Sequence, residues 1–571
     1  MITVGELLLS RLHDLGVRHI FGLPGDYNME FLDQVEAFAG IEWVGSCNEL
    51  NASYSADGYA RLAGIAAIVT TFGPGELSAV CGLAGAMAES VPIVSIVGGP
   101  PVRIMEQHAA MHHSLGDGDY DRWVRVGREV TVAQTSLTAD NASSEIDRVL
   151  CAGWLARRPV YVRLPGDVAR QQVAPPSSPL IPPEPAVDPE QLDAFVDAAR
   201  RLLSNATRPA LLVGNLAIRY DLRNLVNSLL NDRNWPVATQ SMGRGFIDES
   251  SPHFVGIYNG GDSLEPARTA IEGADALVCV GTKFFDWDGL FTADLDLSRI
   301  IGLNADSGTV GEAVFPSVPL ATALRALHEI APARTADWEV TIEPGPLLLD
   351  STSTAPLRQA RLWSAVAAML HPGDVLVPET GTPSFGVANF HLPPGTDVLL
   401  APLWGAIGYA TPAAFGAGMA DPDRRVVLIT GDGSLQLTVQ EISRMLATGQ
   451  RPIIIVLNNG GYTVERTIDG AHQPYNDIDD WRYAELPSMF ARNTPMESHV
   501  AATEGELAGV LAGLAGRPDR LTIIEVRLDA EDVPLGMPRW GRETTALDYQ
   551  VRMSMDPPRL PWGGLPEQTA S

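Results

Sequence analysis

The sequence RVVLITGDGS at residues 425–434 is an apolar run that ends in a glycine turn, and PIIIVLNNGG at residues 452–461 repeats the pattern. Short, continuous apolar runs are typical of strands that are buried on both faces of a parallel sheet. The interval between the two runs has room for one helix and its turns, which is the crossover that parallel strands need. The stretch therefore predicts a strand–helix–strand unit and, with it, an α/β fold.

Each of these two predicted strands ends in a side chain that offers an oxygen ligand. Asp432 follows the first strand and Asn459 follows the second, so we expect both groups at one edge of the sheet. Mg²⁺ prefers oxygen ligands and usually keeps phosphate oxygens in its shell. A glycine turn that opens a helix also lets a diphosphate approach backbone N–H groups. A Gly-Asp-Gly triplet alone is more often an ordinary turn, but this spacing favours a cofactor site.

Length and charge limit the class of protein. With 571 residues the chain is too long for one hydrophobic core, and its 45 % apolar and 19 % charged content is that of a globular protein. The formal net charge of −29 argues against nucleic acid and against an anionic membrane as partners. Cationic substrates would explain this charge, but a solvated acidic surface is the simpler explanation.

Cysteine usage and apolar segments bear on localisation. Four cysteines in so long a chain, none with metal-ligand spacing, predict a reduced, cytoplasmic protein. Residues 1–15 carry no cationic lead-in, so no signal peptide is expected. Residues 401–420 are uncharged, but their prolines and glycines favour a buried loop and helix over a membrane span.

Two proline-rich stretches, residues 174–189 and 331–356, divide the chain. The predicted units are an N-terminal domain at residues 1–180, a central domain at 190–335, a third domain at 350–530 and a tail at 531–571. Within each domain, strand-like and helix-like patterns alternate, which indicates a parallel sheet covered by helices. We therefore expect three doubly wound α/β domains with ligands beyond the carboxyl ends of the strands. The central domain lacks a full G-x-G-x-x-G motif, so a structural role is expected for it.

Five ionisable residues are candidates for catalysis. Glu49 follows a strand-like run, Asp26 closes another strand-end loop, and His112 and His113 lie in an apparent loop after a third strand. Histidine titrates near neutral pH, which suits proton transfer. Glu465 follows the second glycine turn and could point into the same cleft. Taken singly, such residues are more often surface, turn or helix-cap groups.

Together, the motifs resemble those of the thiamin-diphosphate-dependent 2-oxo acid decarboxylases, the pyruvate and indolepyruvate decarboxylase group. The resemblance extends over residues 1–528 and is closer to the indolepyruvate or phenylpyruvate type. The matching motifs are GLPGDYN at 22–28, NELNA at 48–52, ADGYAR at 56–61, GELSA at 75–79, the pair His112-His113, GDGSLQLTVQE at 431–441 and NNGGYTVE at 458–465.

This resemblance implies thiamin diphosphate and Mg²⁺ as cofactors. Asp432, Asn459 and the Gly461 carbonyl would hold the metal, and Glu49 would activate the cofactor. The other cofactor contacts would come from Thr71, Thr380, Gly405, Ile407, Gly431, Gly433, Ser434 and Tyr462.

The resemblance also implies the reaction and the assembly. The group formed by Asp26, His112, His113 and Glu465 would bind a 2-oxo acid and move protons, and CO₂ would leave to give an aldehyde through an enamine of the cofactor. In this group the first domain of one subunit faces the last domain of another. A homo-oligomer, either a dimer or a tetramer, is therefore expected.

Three positions, Ser384, Val464 and Ile468, bear on the size of the substrate. Members specific for pyruvate resemble one another in carrying a bulky aromatic residue where this chain has Ser384, and Val464 is one methylene smaller than isoleucine. The larger pocket predicts a bulky aromatic or branched 2-oxo acid. Two features depart from the pattern: Thr380 stands where the indolepyruvate type has glutamine, and the tail after residue 528 no longer matches the helix that caps the active site.

Two alternatives to a decarboxylase stay open. In a carboligase the enamine would attack a second carbonyl instead of taking a proton, and the histidine pair favours decarboxylation without excluding this reaction. A non-catalytic homologue would be expected to have lost part of the catalytic set, which is complete in this sequence.

Overall fold

The computed structural model describes residues 1–338, 349–491, 493–514 and 516–549. The predicted linker at 331–356 and the predicted tail at 531–571 therefore lie partly outside the described residues. Three α/β units follow one another along the chain, each with its own main sheet, and this confirms the predicted fold class.

The first unit has a six-stranded, fully parallel main sheet. Its elements are β1 Ile2–Thr3, α1 Val4–Asp14, β2 His19–Gly22, α2 Met29–Ala37, β3 Glu42–Gly45, α3 Glu49–Ala63, β4 Ala66–Thr71, α4 Pro74–Glu89, β5 Ile93–Gly99, α5 Val102–Glu106, α6 Arg122–Glu129, β6 Ala133–Ser136, α7 Ala142–Ala156, β7 Val160–Pro165, α8 Gly166–Ala169 and β8 Gln172–Val173. The strand order is β3-β2-β4-β5-β7-β6, and β1 pairs with β8 separately. Every residue of β4 and β5 is buried, because helices cover both faces of the sheet.

The second unit has a seven-stranded sheet in the order β11-β10-β9-β12-β13-β14-β15. Its elements are α9 Pro189–Leu203, β9 Pro209–Val213, α10 Asn215–Arg219, α11 Arg223–Arg233, β10 Val237–Thr239, β11 Phe254–Ile257, α12 Glu265–Glu272, β12 Ala276–Val280, β13 Ile300–Leu303, β14 Ser307–Val310, β15 Ala313–Pro316 and α13 Leu320–Ile330. Five strands are parallel, and β14 and β15 add an antiparallel edge that the sequence pattern had not indicated.

The third unit repeats the parallel arrangement in the order β17-β16-β18-β19-β21-β20. Its elements are α14 Gln359–Met369, β16 Val375–Pro378, α15 Thr382–Val387, β17 Asp397–Val398, α16 Ala410–Ala420, β18 Val426–Gly431, α17 Asp432–Thr438, α18 Ile442–Ala447, β19 Ile453–Asn458, α19 Thr463–Ile468, α20 Leu486–Phe490, β20 Met496–Ala501, α21 Glu504–Ala512, β21 Leu521–Arg527 and α22 Met537–Tyr549. The predicted strand–helix–strand unit is β18, α17, α18 and β19, and β18 pairs with β19 in parallel.

Helices α3 and α16 pack against each other and join the first unit to the third. Gly58 of α3 has no space for a side chain, because a Cβ there would collide with the backbone of Ala413. Gly416 of α16 meets the backbone of Ser55 in the same way. Such close approach requires residues without a Cβ. The two units therefore share one hydrophobic cluster.

The end of α4 contacts all three units. The Glu89 carboxylate accepts the backbone N–H of Leu403 at 3.0 Å and that of Trp404 at 3.3 Å. The carbonyl oxygen of Glu89 accepts the side-chain amide of Asn215 in the second unit at 3.2 Å. Glu89 thus fixes the turn of the third unit that leads to Gly405.

The uncharged stretch 401–420 forms a turn and the buried helix α16, as predicted. In the part of the chain that the structure describes, no helix has both the length and the apolar character to cross a bilayer.

Candidate active site

A cavity opens at the carboxyl ends of β16, β18 and β19. Its empty volume is about 920 Å³, open solvent included. The residues that line its inner part are Thr380, Gly381, Gly405, Ile407, Gly431, Asp432, Gly433, Ser434, Asn459, Gly461, Tyr462, Thr463, Val464, Glu465 and Ile468. The structure thus brings together every residue of the third unit that was predicted to contact the cofactor, with Val464, Glu465 and Ile468 beside them.

Asp432 organises the second glycine turn around its carboxylate. Its Oδ2 accepts the backbone N–H of Asn459 at 3.1 Å, of Gly460 at 2.7 Å and of Gly461 at 3.1 Å. Its Oδ1 accepts the N–H of Gly433 at 2.7 Å. Burial raises the pKa of Asp432 to about 6, although these N–H groups oppose the shift. A cation at this carboxylate would offset the cost of burying its charge.

The side-chain oxygen of Asn459 is buried and has no hydrogen-bond partner among the residues that the structure describes. A buried acceptor without a partner is costly and calls for an explanation. An oxygen-seeking cation fits this position, because the Asp432 carboxylate lies against the same turn. The residues present therefore suit a divalent metal with a diphosphate.

Glu379, which the sequence did not single out, lies at the end of β16 just before the cavity. It is fully buried and accepts the backbone N–H of Thr380 at 3.0 Å and of Ala410 at 3.2 Å. Burial raises the pKa of Glu379 to about 7. Its carboxyl ties the strand end to the start of α16, and so it holds the Thr380 side of the cavity.

A second cluster of candidate residues lies in the first unit. Glu49 is the first residue of α3, and Asn48 caps this helix by accepting the N–H of Asn51 at 2.8 Å. A Cβ on Gly75 would lie 3.2 Å from Glu49 Oε1 and 3.0 Å from the Thr71 methyl group. The structure therefore places Glu49 and Thr71 side by side around Gly75.

The histidine pair belongs to the same edge of the first unit. His112 Nε2 lies 2.7 Å from Asp26 Oδ2, and the His112 ring stacks on Tyr27 with centroids 5.0 Å apart. The centroids of the His113 and His112 rings lie 4.6 Å apart, and Nδ1 of His113 is buried without a hydrogen-bond partner in the described part of the chain. Asp26, His112 and His113 form one cluster in which a carboxylate faces an imidazole, an arrangement suited to proton transfer.

The two clusters do not meet within one chain. Among the described residues that line the cavity, none comes from the first unit, so Glu49, Asp26 and the histidines lie outside it. Ser384, which was predicted to line the substrate pocket, is also absent from this described lining. Its hydroxyl donates to the Gly381 carbonyl at 2.7 Å. One chain therefore carries two separate parts of the predicted site.

The outer part of the cavity contains residues that sequence reasoning missed. These are Asp286 and Trp287 of the second unit, and Trp540, Thr544 and Asp548 of α22. The expectation of a purely structural central domain was therefore incomplete. The resemblance implies a capping helix in this region, and although the tail after residue 528 does not match its pattern, α22 lines the cavity with residues at four-residue spacing.

Comparison with known families defines the class of protein. Three family models match: the thiamine pyrophosphate enzyme N-terminal TPP binding domain at residues 2–118, the central domain at 196–329 and the C-terminal TPP binding domain at 379–502. The fold and the site are therefore those of a thiamine pyrophosphate enzyme.

Individual relatives narrow this class. The alpha-keto-acid decarboxylase of Mycobacterium leprae is 43 % identical over 535 residues, which cover 93 % of this chain and 94 % of the relative. That of Mycobacterium ulcerans is 43 % identical over 537 residues, with the same coverage of both chains. The chain belongs to the thiamin-diphosphate-dependent 2-oxo acid decarboxylases.

Membership of this family confirms three predictions: that the protein is an enzyme, that thiamin diphosphate is its cofactor and that it decarboxylates a 2-oxo acid. The non-catalytic alternative is accordingly wrong. The class of 2-oxo acid, the metal and the assembly remain predictions.

Proposed function

We propose that the enzyme acts on a 2-oxo acid with a bulky aromatic or branched side chain and that Mg²⁺ anchors the diphosphate. The observation that carries the substrate class is the size and apolar lining of the cavity beyond the glycine turns. Val464 and Ile468 line it together with Trp287 and Trp540. Ser384 does not line the cavity, so the proposed room for a bulky side chain lies beside these four residues.

Asp432, Asn459 and the Gly461 carbonyl are the proposed metal ligands, and backbone N–H groups at the start of α17 are the proposed diphosphate donors. The unpartnered Asn459 oxygen supports this assignment. Bound thiamin diphosphate supplies the nucleophile and the electron sink of the reaction. The protein must orient it, exclude water and move protons.

We assign those tasks to the residues of both clusters. Glu49 would hold a proton against the cofactor's pyrimidine ring, with Thr71 and Gly75 shaping the surface around it. The Asp26–His112 pair and His113 would deliver the proton that completes the aldehyde. Glu465, which lines the cavity from the start of α19, would act on the same substrate from the opposite side.

The separation of the clusters supports a homo-oligomer, a dimer or a tetramer, in which the first unit of one subunit covers the cavity of another. Closed assemblies with two-fold symmetry would complete two such sites at once. The half-exposed Asp26 and His112 side chains agree with a surface that a partner covers.

A panel of 2-oxo acids, assayed with thiamin diphosphate and Mg²⁺ for aldehyde and CO₂, tests the substrate class. We expect phenylpyruvate and indolepyruvate to exceed pyruvate in kcat/KM. Equal or better turnover of pyruvate would contradict the proposal. Replacement of Glu49 by Gln is the control and should abolish activity. An added acceptor aldehyde in the same assay would reveal carboligation as a coupled product.

A further inference from the structure

The outer wall of the cavity is formed by two segments that are distant in sequence. Asp286 and Trp287 come from a turn of 3-10 helix in the second unit, and Trp540, Thr544 and Asp548 come from α22. Positions four residues apart share one helix face, so the three α22 residues face the cavity together. Trp287 and Trp540 were given only a share in the size of the pocket above, and Asp286, Thr544 and Asp548 were given no role.

Contacts behind the wall hold both segments in place. Asp288, at the end of the 3-10 turn, is fully buried and accepts the backbone N–H of Ser241 at 3.3 Å. Arg539 of α22 pairs with Asp262 of the second unit at 2.9 Å and donates to the Gly261 carbonyl at 2.9 Å. Helix α22 therefore bridges two units across the cavity, and the wall has a defined shape.

The aromatic rings of the wall form a corner. The rings of Trp287 and Trp540 lie 5.1 Å apart between centroids at an interplanar angle of 83°. The Phe385 ring packs against both indoles, with its centroid 5.1 Å from that of Trp540 and 5.9 Å from that of Trp287. In such a T-shaped contact the edge of one indole covers part of a face of the other, and both residues still line the cavity. Indole faces attract cations, quaternary ammonium groups included.

The charges in the cavity have one sign. Among the described residues that line it, Asp286, Asp432, Glu465 and Asp548 are acidic, and neither lysine nor arginine is present. The nearby Arg539 is paired with carboxylates behind the wall. Burial raises the pKa of Asp286, and the charge of Asp548 raises it further, so a positive group between the two carboxylates would relieve their repulsion.

We propose that Asp286, Asp548, Trp287 and Trp540 form a cation site that receives the far end of the substrate's side chain. The inference rests on the proposed function and deepens it: the substrate is a bulky 2-oxo acid whose side chain ends in an ammonium, quaternary ammonium or guanidinium group. The two carboxylates would repel the substrate's own carboxylate, so the 2-oxo end would point toward the cofactor.

Binding of two unreactive probes to the holoenzyme tests this proposal. In 3-(4-trimethylammoniophenyl)propanoate and 3-(4-tert-butylphenyl)propanoate, a positive nitrogen replaces a neutral carbon in groups of the same shape. By calorimetry with thiamin diphosphate and Mg²⁺ present, we expect the cationic probe to bind about five to twenty times more tightly. The preference should weaken as salt is raised, because the carboxylates are partly exposed.

Substitutions show whether the wall causes the preference. The double change Asp286→Asn and Asp548→Asn should lower the ratio of the two Kd values severalfold and leave only the part that the indole rings supply. Glu312→Gln, on an exposed hairpin turn of the second unit, removes a charge outside the cavity and should leave the ratio unchanged. Equal binding of the probes by the natural enzyme, or a ratio that the double change leaves unaltered, would overturn the cation site.

The matching 2-oxo acids, 4-trimethylammonio- and 4-tert-butylphenylpyruvate, separate this inference from the proposed function. A value of kcat/KM about five- to twenty-fold higher for the cationic acid supports both the cation site and the proposed substrate class. If neither acid is decarboxylated while the probe preference holds, the proposed substrate class fails and the cation site stands. If both acids react equally and both probes bind equally, the cation site fails and the substrate class stands.

Discussion

The backbone N–H of Asn459 donates to Oδ2 of Asp432 at 3.1 Å, so the carboxylate at the end of one strand shapes the turn that follows the next. The same oxygen accepts two further N–H groups from this turn. Charge-assisted bonds of this kind are about twice as strong as neutral ones. Asp432 therefore has two proposed tasks, to bind the metal and to hold the turn that carries the second ligand.

Asp432→Asn should weaken Mg²⁺-dependent binding of thiamin diphosphate more than about 100-fold, because an amide carries no charge and its N–H₂ opposes the N–H groups of the turn. Calorimetric titration of cofactor at fixed Mg²⁺ measures this effect. Asp480→Asn, an exposed neighbour outside the cavity, is the matched control and should bind normally. Tight cofactor binding by the Asp432 variant would remove Asp432 from the metal site.

Glu379 should make the stability of the cofactor-free chain depend on pH. Its pKa is raised from 4.5 to about 7, so between these values the folded chain holds a proton that the unfolded chain has released. The folded state then binds more protons, and its stability falls as pH rises through this window, by about 3 kcal/mol. Below pH 4.5 both states are protonated and the contribution is fully retained.

Glu379→Gln removes this titration. We expect the free energy of unfolding of the variant, measured in urea relative to the natural protein, to rise by about 3 kcal/mol from pH 4.5 to pH 8. The comparison of the two pH values cancels every effect of the substitution that does not depend on pH. Glu312→Gln is the control, and its free energy of unfolding relative to the natural protein should be the same at both pH values. The same result for the Glu379 variant would refute the raised pKa.

Tyr409→Phe should destabilise the contact between the first and third units. The Tyr409 hydroxyl donates to Asp57 at 2.5 Å, and Asp57 also accepts Arg61 Nε at 2.6 Å in a buried setting. Loss of a hydrogen bond to a buried charged group costs about 1.5–3 kcal/mol. Urea unfolding measures the loss, and Tyr475→Phe at an exposed position is the control. Unchanged stability would show that Arg61 alone satisfies Asp57.

The sequence predicted those parts of the structure that depend on short, contiguous segments of the chain. Strands β18 and β19 appear as uninterrupted apolar runs because both faces of the sheet are covered, and their ends mark Asp432 and Asn459 directly. The antiparallel edge β14–β15 was missed because its two strands are short and partly exposed. Segments with so weak a local pattern form strands only because they pair with a neighbouring strand.

The outer wall of the cavity could not be predicted for a different reason. Asp286 and Asp548 are ordinary surface-type residues in their own segments, and only the packing of α22 across two units makes them neighbours. Glu379 was overlooked because a lone glutamate after an apolar run looks exposed, whereas helix α16 buries it completely. Sequence reasoning thus identified motifs but not their tertiary surroundings.

The separation of Glu49 from Asp432 gives the sharpest test of the assembly. Each single variant, Glu49→Gln or Asp432→Asn, should be inactive alone, because every site in its homodimer lacks one group. In mixed dimers, one site would combine the intact Glu49 of one subunit with the intact Asp432 of the other. Random co-assembly makes half of the dimers mixed, each with one complete site, so about 25 % of natural activity should return.

Co-expression of the two variants with different affinity tags, followed by isolation of the doubly tagged species, measures this recovery. The isolated mixed dimer should reach about half of natural activity, since one of its two sites is complete. Mixing Glu49→Gln with His113→Ala, both in the first unit, is the matched control: a site formed from two subunits then always lacks one group, and no activity should return. Absence of recovery in the first pair would place Glu49 and Asp432 in a site within one chain, whereas recovery in the control would place Glu49 and His113 on different subunits.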